Sequence, residues 1–405
     1  MACGASANWP RPLPKASGWM SKPPGPTWRH SWQACWSGIW LNARKPMDAD
    51  CDLSSGAARL DAMRRRAAAK GIPLHGTLAL THRCNFRCIH CYVLPNANPP
   101  SAELSTADWL SLAQEAAAAG CFSILLTGGE PLLREDFAEI YLGIRKMGIH
   151  VILFTNASRV DAHVIETLCA APPRVIEVTV YGATPETYRR VTGRAEAHAE
   201  TLRGLALLRE AGLPVRLKTV LMQPNRHEFE AIRALAAEGE RAPRYDAVIQ
   251  PRFRGDAEIE RLRVPPAEVV EMEARAIPDL AGQWRRQRGR QGKSSPAGAP
   301  RLYGCASGLI SFYVAADGMV QPCVSAVRHG IRYERGGLLA AFRAGRRSVQ
   351  GLCAPPGYAC ATCADRFFCS SCPPIAELEC GDEAGKCAYA CELAHERSRR
   401  MAAPV

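Results

Sequence analysis

Eighteen cysteines in 405 residues are the main chemical resource of this chain. Three stand together in Cys84-Asn85-Phe86-Arg87-Cys88-Ile89-His90-Cys91, directly after a short β-rich run. Three thiolates this close can converge on one metal centre. A structural zinc ion would need a fourth ligand, for which His82 and His90 are at hand, so zinc stays open. The Cys-x3-Cys-x2-Cys spacing nonetheless differs from paired Cys-x2-Cys zinc knuckles. Three thiolates on a four-iron cluster would leave one iron free for a substrate or cofactor. Arg83 and Arg87 flank the group and read as solvated charge.

A second group lies at the other end. Residues 305–391 hold ten cysteines, with Cys360-x2-Cys363-x5-Cys369-x2-Cys372 at its centre and Cys305, Cys323, Cys353, Cys380, Cys387 and Cys391 around it. Paired Cys-x2-Cys units at this density indicate metal, with iron expected and zinc the alternative. The first 25 residues lack an apolar signal region, so a reducing, cytoplasmic setting is expected and disulfides are not. Cys380 reads as a plain thiol, as do Cys3, Cys35, Cys51, Cys121 and Cys169.

These groups need a scaffold. Short β-rich runs occur at 77–81, 122–127, 150–155, 175–181, 215–222 and 247–253, with helical stretches between them. Ser105 to Asp108 has the form of a capping box, and the Ala-rich run behind it ends at Gly120. Residues 161–170, 197–211 and 226–238 also read as helices. Six strands alternating with helices predict an α/β fold of parallel units, a partial (β/α)6 barrel. Chemistry then belongs at the C-terminal ends of the strands, where the first cysteine group stands.

The same strand ends carry further motifs: Thr127-Gly128-Gly129-Glu130-Pro131, Phe154-Thr155-Asn156, Val180-Tyr181-Gly182-Ala183-Thr184-Pro185 and Val191-Thr192-Gly193. In this order, behind Cys84, Cys88 and Cys91, they resemble the radical S-adenosylmethionine (SAM) superfamily. The resemblance implies a 4Fe–4S cluster on Cys84, Cys88 and Cys91 whose open iron binds SAM. Reductive cleavage of SAM would yield a 5′-deoxyadenosyl radical. It further implies that Glu130 and the Gly128–Gly129 backbone take the SAM amino group, within the motif closed by Pro131, and that His90 lies near adenine. Lys218, Asn156 and Thr179 are polar candidates for the ribose or carboxylate, or else interior polar residues satisfied by the chain itself.

Cys305, then Gly318 and Cys323, followed by the later cysteines, resembles the SPASM extension of this superfamily. One departure is the two-residue gap before Cys372, where the family has three. The resemblance implies one auxiliary cluster on Cys360, Cys363, Cys369 and a late cysteine, for which Cys391 is favoured. A second would use Cys305, Cys323 and Cys372, one ligand short. Cys353 or Cys387 would serve, or the iron stays open. One or two auxiliary 4Fe–4S clusters are therefore expected, in a cysteine-rich iron–sulfur domain over 301–395.

Composition bounds the rest. Apolar residues are 47% and charged residues 22%, an ordinary globular balance. No apolar run is long enough for a membrane span. The net charge of +12 sits in residues 1–80, net +7, and 281–301, net +6. No basic face on the folded body is left to suggest nucleic acid. Residues 1–46 hold no acid and six of the eight tryptophans; they read as a disordered tail or sequence before a true start at Met47. Residues 47–74 read as a helical lead-in, 75–287 as the barrel, 288–300 as a basic flexible linker and 396–405 as a C-terminal tail. The resemblance implies a radical enzyme modifying a peptide or protein, often a ribosomally made precursor, by crosslinking or side-chain oxidation. An external donor such as flavodoxin or ferredoxin would supply electrons. Tetrapyrrole tailoring (haem or haem d1) and sulfatase maturation are the enzymatic alternatives. A non-catalytic iron–sulfur carrier or scaffold is the non-enzymatic one.

Overall fold

The computed structural model describes residues 56–93, 103–236, 241–253, 258–277, 279–290 and 301–402. The expected tail at 1–46 lies outside them. Helix α1 (Gly56–Lys70) leads into β1 (His75–Ala79). Then come α2 (Thr106–Ala118), β2 (Ser123–Thr127), α3 (Phe137–Lys146), β3 (His150–Thr155), α4 (Ala162–Ala170), β4 (Val175–Thr179), α5 (Pro185–Thr192), α6 (Ala197–Glu210), β5 (Val215–Val220), α7 (Phe229–Ala234) and β6 (Arg244–Asp246).

These six strands pair in parallel in chain order. Strands β2 and β4 are almost wholly buried, as a parallel strand covered on both faces must be. Local chemistry sets the helix ends. Ser105 and Asp108 form the capping box on α2. Thr184 caps α5, Pro185 opens it and left-handed Gly193 closes it. The main core lies between the sheet and α2, α3, α4 and α6, around Trp109, Ile140, Leu168 and Leu205.

The C-terminal part comprises α8 (Pro266–Ala276), α9 (Leu280–Arg290), β7 (Ser311–Val314), β8 (Met319–Gln321), β9 (Ile331–Arg332), α10 (Leu338–Gln350), α11 (Pro373–Cys380) and α12 (Ala388–Ala402). Strand β7 pairs in parallel with β1, and β8 and β9 follow antiparallel. One nine-stranded sheet of order β6-β5-β4-β3-β2-β1-β7-β8-β9 thus crosses the boundary expected at 301. No helix among the described residues is long and apolar enough to cross a membrane.

Four expectations need correction. The sixth strand is Arg244–Asp246, not 247–253. Beyond it the backbone is met by side chains rather than a neighbouring strand: Asp246 accepts from Val248 N and Arg263 donates to Ile249 O. The helix expected at 226–238 is a 3-10 turn followed by the six-residue α7. Helix α9 runs through Arg290, so the first residues of the expected linker are helical, and 291–300 lie outside the described residues. Helix α12 continues through the expected tail to Ala402, because it packs on α8, where Arg397 and Glu273 form a buried ion pair at 2.5 Å.

Candidate functional site

Strand β1 delivers the chain to the Cys84–Cys91 loop, which is held from two sides. On one side stands the turn after β2. Gly129 N donates to Thr81 O at 2.7 Å and Glu130 N to Arg83 O at 2.9 Å. A Cβ on Gly128, whose φ is +150°, would lie 2.5 Å from Thr81 O, and one on Gly129 would lie 2.2 Å from Arg83 O. Only glycine lets the two backbones approach this closely. On the other side stands the end of α5: Arg87 N donates to Thr192 O and Ile89 N to Val191 O, both at 2.9 Å. Helix α5 is in turn held at its start by Glu228, which accepts from Ala183 N, Thr184 Oγ1 and Thr187 Oγ1 at 2.5–2.7 Å.

Cys84, Cys88 and Cys91 converge at half-buried positions and lie in one another's field. Burial pushes the Cys84 thiol up to about 12. Burial also raises Cys88, opposed by a hydrogen bond from the Tyr181 hydroxyl. Thiolates held here call for a positively charged partner. Among the described residues no three His, Cys, Asp or Glu side chains are gathered around a single ion. Three thiols at this spacing suit a multi-iron centre with its ligands on separate irons.

The interior beside the loop is polar. The His90 ring lies 5.4 Å from that of Tyr181, and its buried Nδ1 has no partner. Burial, helped by Lys218, lowers His90 to about 4, so it is neutral. Lys218 sits 3.7 Å above the Phe154 ring, and burial with Arg244 lowers it to about 8. Thr179 is buried and opposite Lys218 in the sheet. An unpartnered ring nitrogen near a buried ammonium suits a ligand carrying both a heterocycle and a carboxylate, which fits SAM.

Two of the expected contacts are used inside the chain. Glu130, 1% exposed, accepts from Leu132 N behind Pro131, from Thr155 Oγ1 and from Asn156 N. Its carboxylate ties the end of β2 to the end of β3. Burial pushes its pKa up to about 7 against these three hydrogen bonds. Asn156 bonds Asn85 through Nδ2 and Ser158 through Oδ1. It anchors the cysteine loop to β3.

The C-terminal cysteines fall into two sets. Cys369 lies in the field of Cys391, Cys360 and Cys363. Cys372 lies in that of Cys323, Cys305 and Cys387. Burial pushes both Cys369 and Cys323 up to about 11. Cys353 is exposed, in an isolated bridge to Arg301, apart from both sets. Cys380 is exposed and bonds Lys386 O.

Sequence reading missed several residues that position the loop. The sequence shows Tyr181 only as part of a motif, yet its ring packs on Phe86 and His90 and its hydroxyl reaches Cys88. Glu228 and Glu103 had no local signal, because their partners are distant in sequence. The segment after β6 straps the two cysteine regions together. Arg252 donates to Ile89 O and Phe253 N to Tyr92 O, while Gln250 accepts from Ser325, two residues beyond Cys323.

Residues 78–236 match the radical SAM superfamily. These residues, from β1 to α7, form a radical SAM domain. An AdoMet-dependent haem synthase of Methanosarcina barkeri is 28% identical over 260 residues, 60% of this chain and 74% of the relative. A PqqA peptide cyclase of Rhodopseudomonas palustris is 31% identical over 166 residues, 41% of this chain and 44% of the relative. The chain thus spans less than half the length of that cyclase. Streptococcus suis SuiB bound to precursor peptide SuiA superposes with a TM-score of 0.58 at 14% identity, covering 86% of this chain and 84% of SuiB. The enzyme anSMEcpe with bound AdoMet and the Kp18Cys peptide gives 0.58 at 15% identity, covering 81% and 98%. The fold of this radical SAM protein is the one shared by these SPASM-type enzymes.

Proposed function

We propose that this protein is a radical SAM enzyme that modifies a peptide or protein, by crosslinking or side-chain oxidation, with help from auxiliary iron–sulfur clusters. Cys84, Cys88 and Cys91 hold the first 4Fe–4S cluster. When bound, that cluster and SAM would supply one-electron radical chemistry for removing hydrogen from the substrate. The chain's own residues orient SAM and exclude water. His90 offers its free ring nitrogen to the adenine side. Lys218, with Thr179 opposite, offers positive charge to the carboxylate. The Gly128–Gly129 backbone faces the amino group, while Glu130, Pro131 and Asn156 hold that turn against the loop. Cys360, Cys363, Cys369 and Cys391 hold one auxiliary cluster, and Cys305, Cys323 and Cys372 belong to another. A flavodoxin- or ferredoxin-like donor supplies the electron.

The observation carrying this reading is the partition of the C-terminal cysteines into two sets, strapped to the SAM-side loop by one segment. A SAM-cleaving site with two further clusters beside it is suited to oxidising a substrate. Similarity to peptide cyclases supports a peptide. The longer match to a haem synthase supports a second reading, tetrapyrrole tailoring.

The test is oxygen-free purification and reconstitution, with iron, sulfide and zinc counted per chain, followed by SAM and dithionite. About twelve irons, with 5′-deoxyadenosine formed, is the expected result. Zinc without deoxyadenosine overturns the catalytic reading. About four irons with deoxyadenosine overturns the auxiliary clusters alone. Adding a precursor peptide should raise deoxyadenosine yield where coproporphyrin does not; the reverse favours the tetrapyrrole reading.

A further inference from the structure

The sequence leaves no basic face on the folded body, yet folding gathers one. Strands β1 to β6 are parallel, so all start at one end of the sheet, opposite the Cys84–Cys91 loop. Arginines from several elements meet at that end. Arg174 directly precedes β4, and its backbone N donates to Val151 O at the start of β3. Arg145, in the last turn of α3, donates from Nη1 to Ile149 O at 2.8 Å, just before the same strand. Arg216 is second in β5, and Arg241 lies three residues before β6. The charges that bear on Arg174 are Arg241 and Arg216, both positive. The acid Glu177 is buried and shared, with Arg216 and Arg244 each at 3.3 Å.

An apolar anchor stands among these cations. Phe122, directly before β2, is 37% exposed; it and Val327 are the exposed large apolar side chains among the described residues. Its carbonyl accepts from His150 N, and its ring lies 4.8 Å from the exposed ring of His150. Arg145 and Arg174 are the charges that bear on His150. Exposed aromatic and arginine side chains together have the composition of a protein-binding face, and the charge selects an acidic partner.

Resting on the peptide reading above, we infer that this end of the barrel docks an acidic segment of the substrate, carrying an apolar residue for Phe122, away from the residue modified. A one-electron carrier fits less well. Strand β2 runs five residues from Ser123 to Thr127, so about 17 Å of strand separates Phe122 from the turn that holds the cysteine loop. Electron transfer falls steeply over such a distance, whereas a peptide spans it. About five extended residues cover the strand and about ten allow a path round the barrel edge. Single-stranded nucleic acid fits less well too, because Phe122 offers one stacking ring where such binding uses several.

The test uses the full-length reconstituted protein and a fluorescein-labelled peptide of Glu-Glu-Leu repeats, read by fluorescence anisotropy. The peptide should bind at low salt and weaken severalfold as salt rises; the same peptide with Lys in place of Glu should not bind. Phe122→Ser should weaken binding about tenfold, and Arg241→Glu about threefold. Both side chains are exposed, so the melting temperature should hold. Deoxyadenosine formation driven by dithionite should also hold, which separates failure of this inference from failure of the enzymatic reading. No binding by the parent, or equal binding by parent and both variants, overturns the inference. Tighter binding of an oligouridine RNA, lost in both variants, overturns it in favour of nucleic acid. The same pattern with a reduced flavodoxin overturns it in favour of an electron carrier.

Discussion

The two cysteine regions are built in opposite ways. The Cys84–Cys91 loop is held by hydrogen bonds to residues far along the chain: Thr81 and Arg83 to the turn after β2, Arg87 and Ile89 to the end of α5, Ile89 again to Arg252. In the stretch from Pro355 to Cys369 the backbone bonds are local turns, such as Tyr358 N to Pro355 O, Arg366 N to Cys363 O and Phe368 N to Asp365 O. A side chain supplies a long tie, Arg397 to Phe368 O. The first loop is shaped by its sheet before metal arrives. The second region has less to hold it, so a metal bound there would contribute to its folding free energy. On the proposed function, the radical-generating site falls to rigid strand ends and the auxiliary centres to a cap that metal would staple.

The sharpest break of this comparison is the triple change of Cys84, Cys88 and Cys91 to Ala. Deoxyadenosine formation should vanish while about eight auxiliary irons stay bound. Retained SAM cleavage would show that the loop is not the radical site.

Iron removal by an anaerobic chelator should come next in size. Amide hydrogen exchange should rise steeply over residues 355–391 and little over β1 to β5. Equal loss in both regions would mean that the loop is also built by its metal.

Gly129→Ala places a methyl group against Arg83 O. It should destabilise the metal-free protein by about 3 kcal/mol and weaken SAM cleavage, read by thermal melting and deoxyadenosine yield. The C-terminal irons should be unaffected. A silent variant would show that the turn and loop are not locked together.

Smallest is a pH effect. Lys218 is lowered to about 8, first by burial. Its charge is present below that pH and lost above it. If it holds the SAM carboxylate, raising pH from 7 to 9 should weaken SAM binding by up to about tenfold relative to Lys218→Met, whose affinity lacks that component. Parallel pH profiles, measured by calorimetry, would remove Lys218 from the SAM site.

The lysine illustrates where sequence reading stopped. Period and composition identify β5, and register places Lys218 beside Thr179, but that it lies over Phe154 and near His90 depends on folding. Glu130 shows the same limit. Its motif is visible, yet the three donors that occupy its carboxylate come from its own turn and from β3. Residues 247–253 look β-rich, but they meet side chains instead of a strand, and the sixth strand ends before them. Strands β7 to β9 gave too short a signal to be read at all.

The amino-acid sequence by itself determined the likeness to radical SAM proteins, the parallel βα order, the three-cysteine loop and the cysteine-rich end. Those are properties of spacing along the chain, where residue type and local backbone preference suffice. Only the tertiary structure decided that Glu228 braces α5 against the loop, that β7 joins β1, and that Cys369 and Cys372 lie in the fields of different cysteines. Each depends on groups distant in sequence meeting in space, and burial and hydrogen bonding select those meetings after the chain has collapsed.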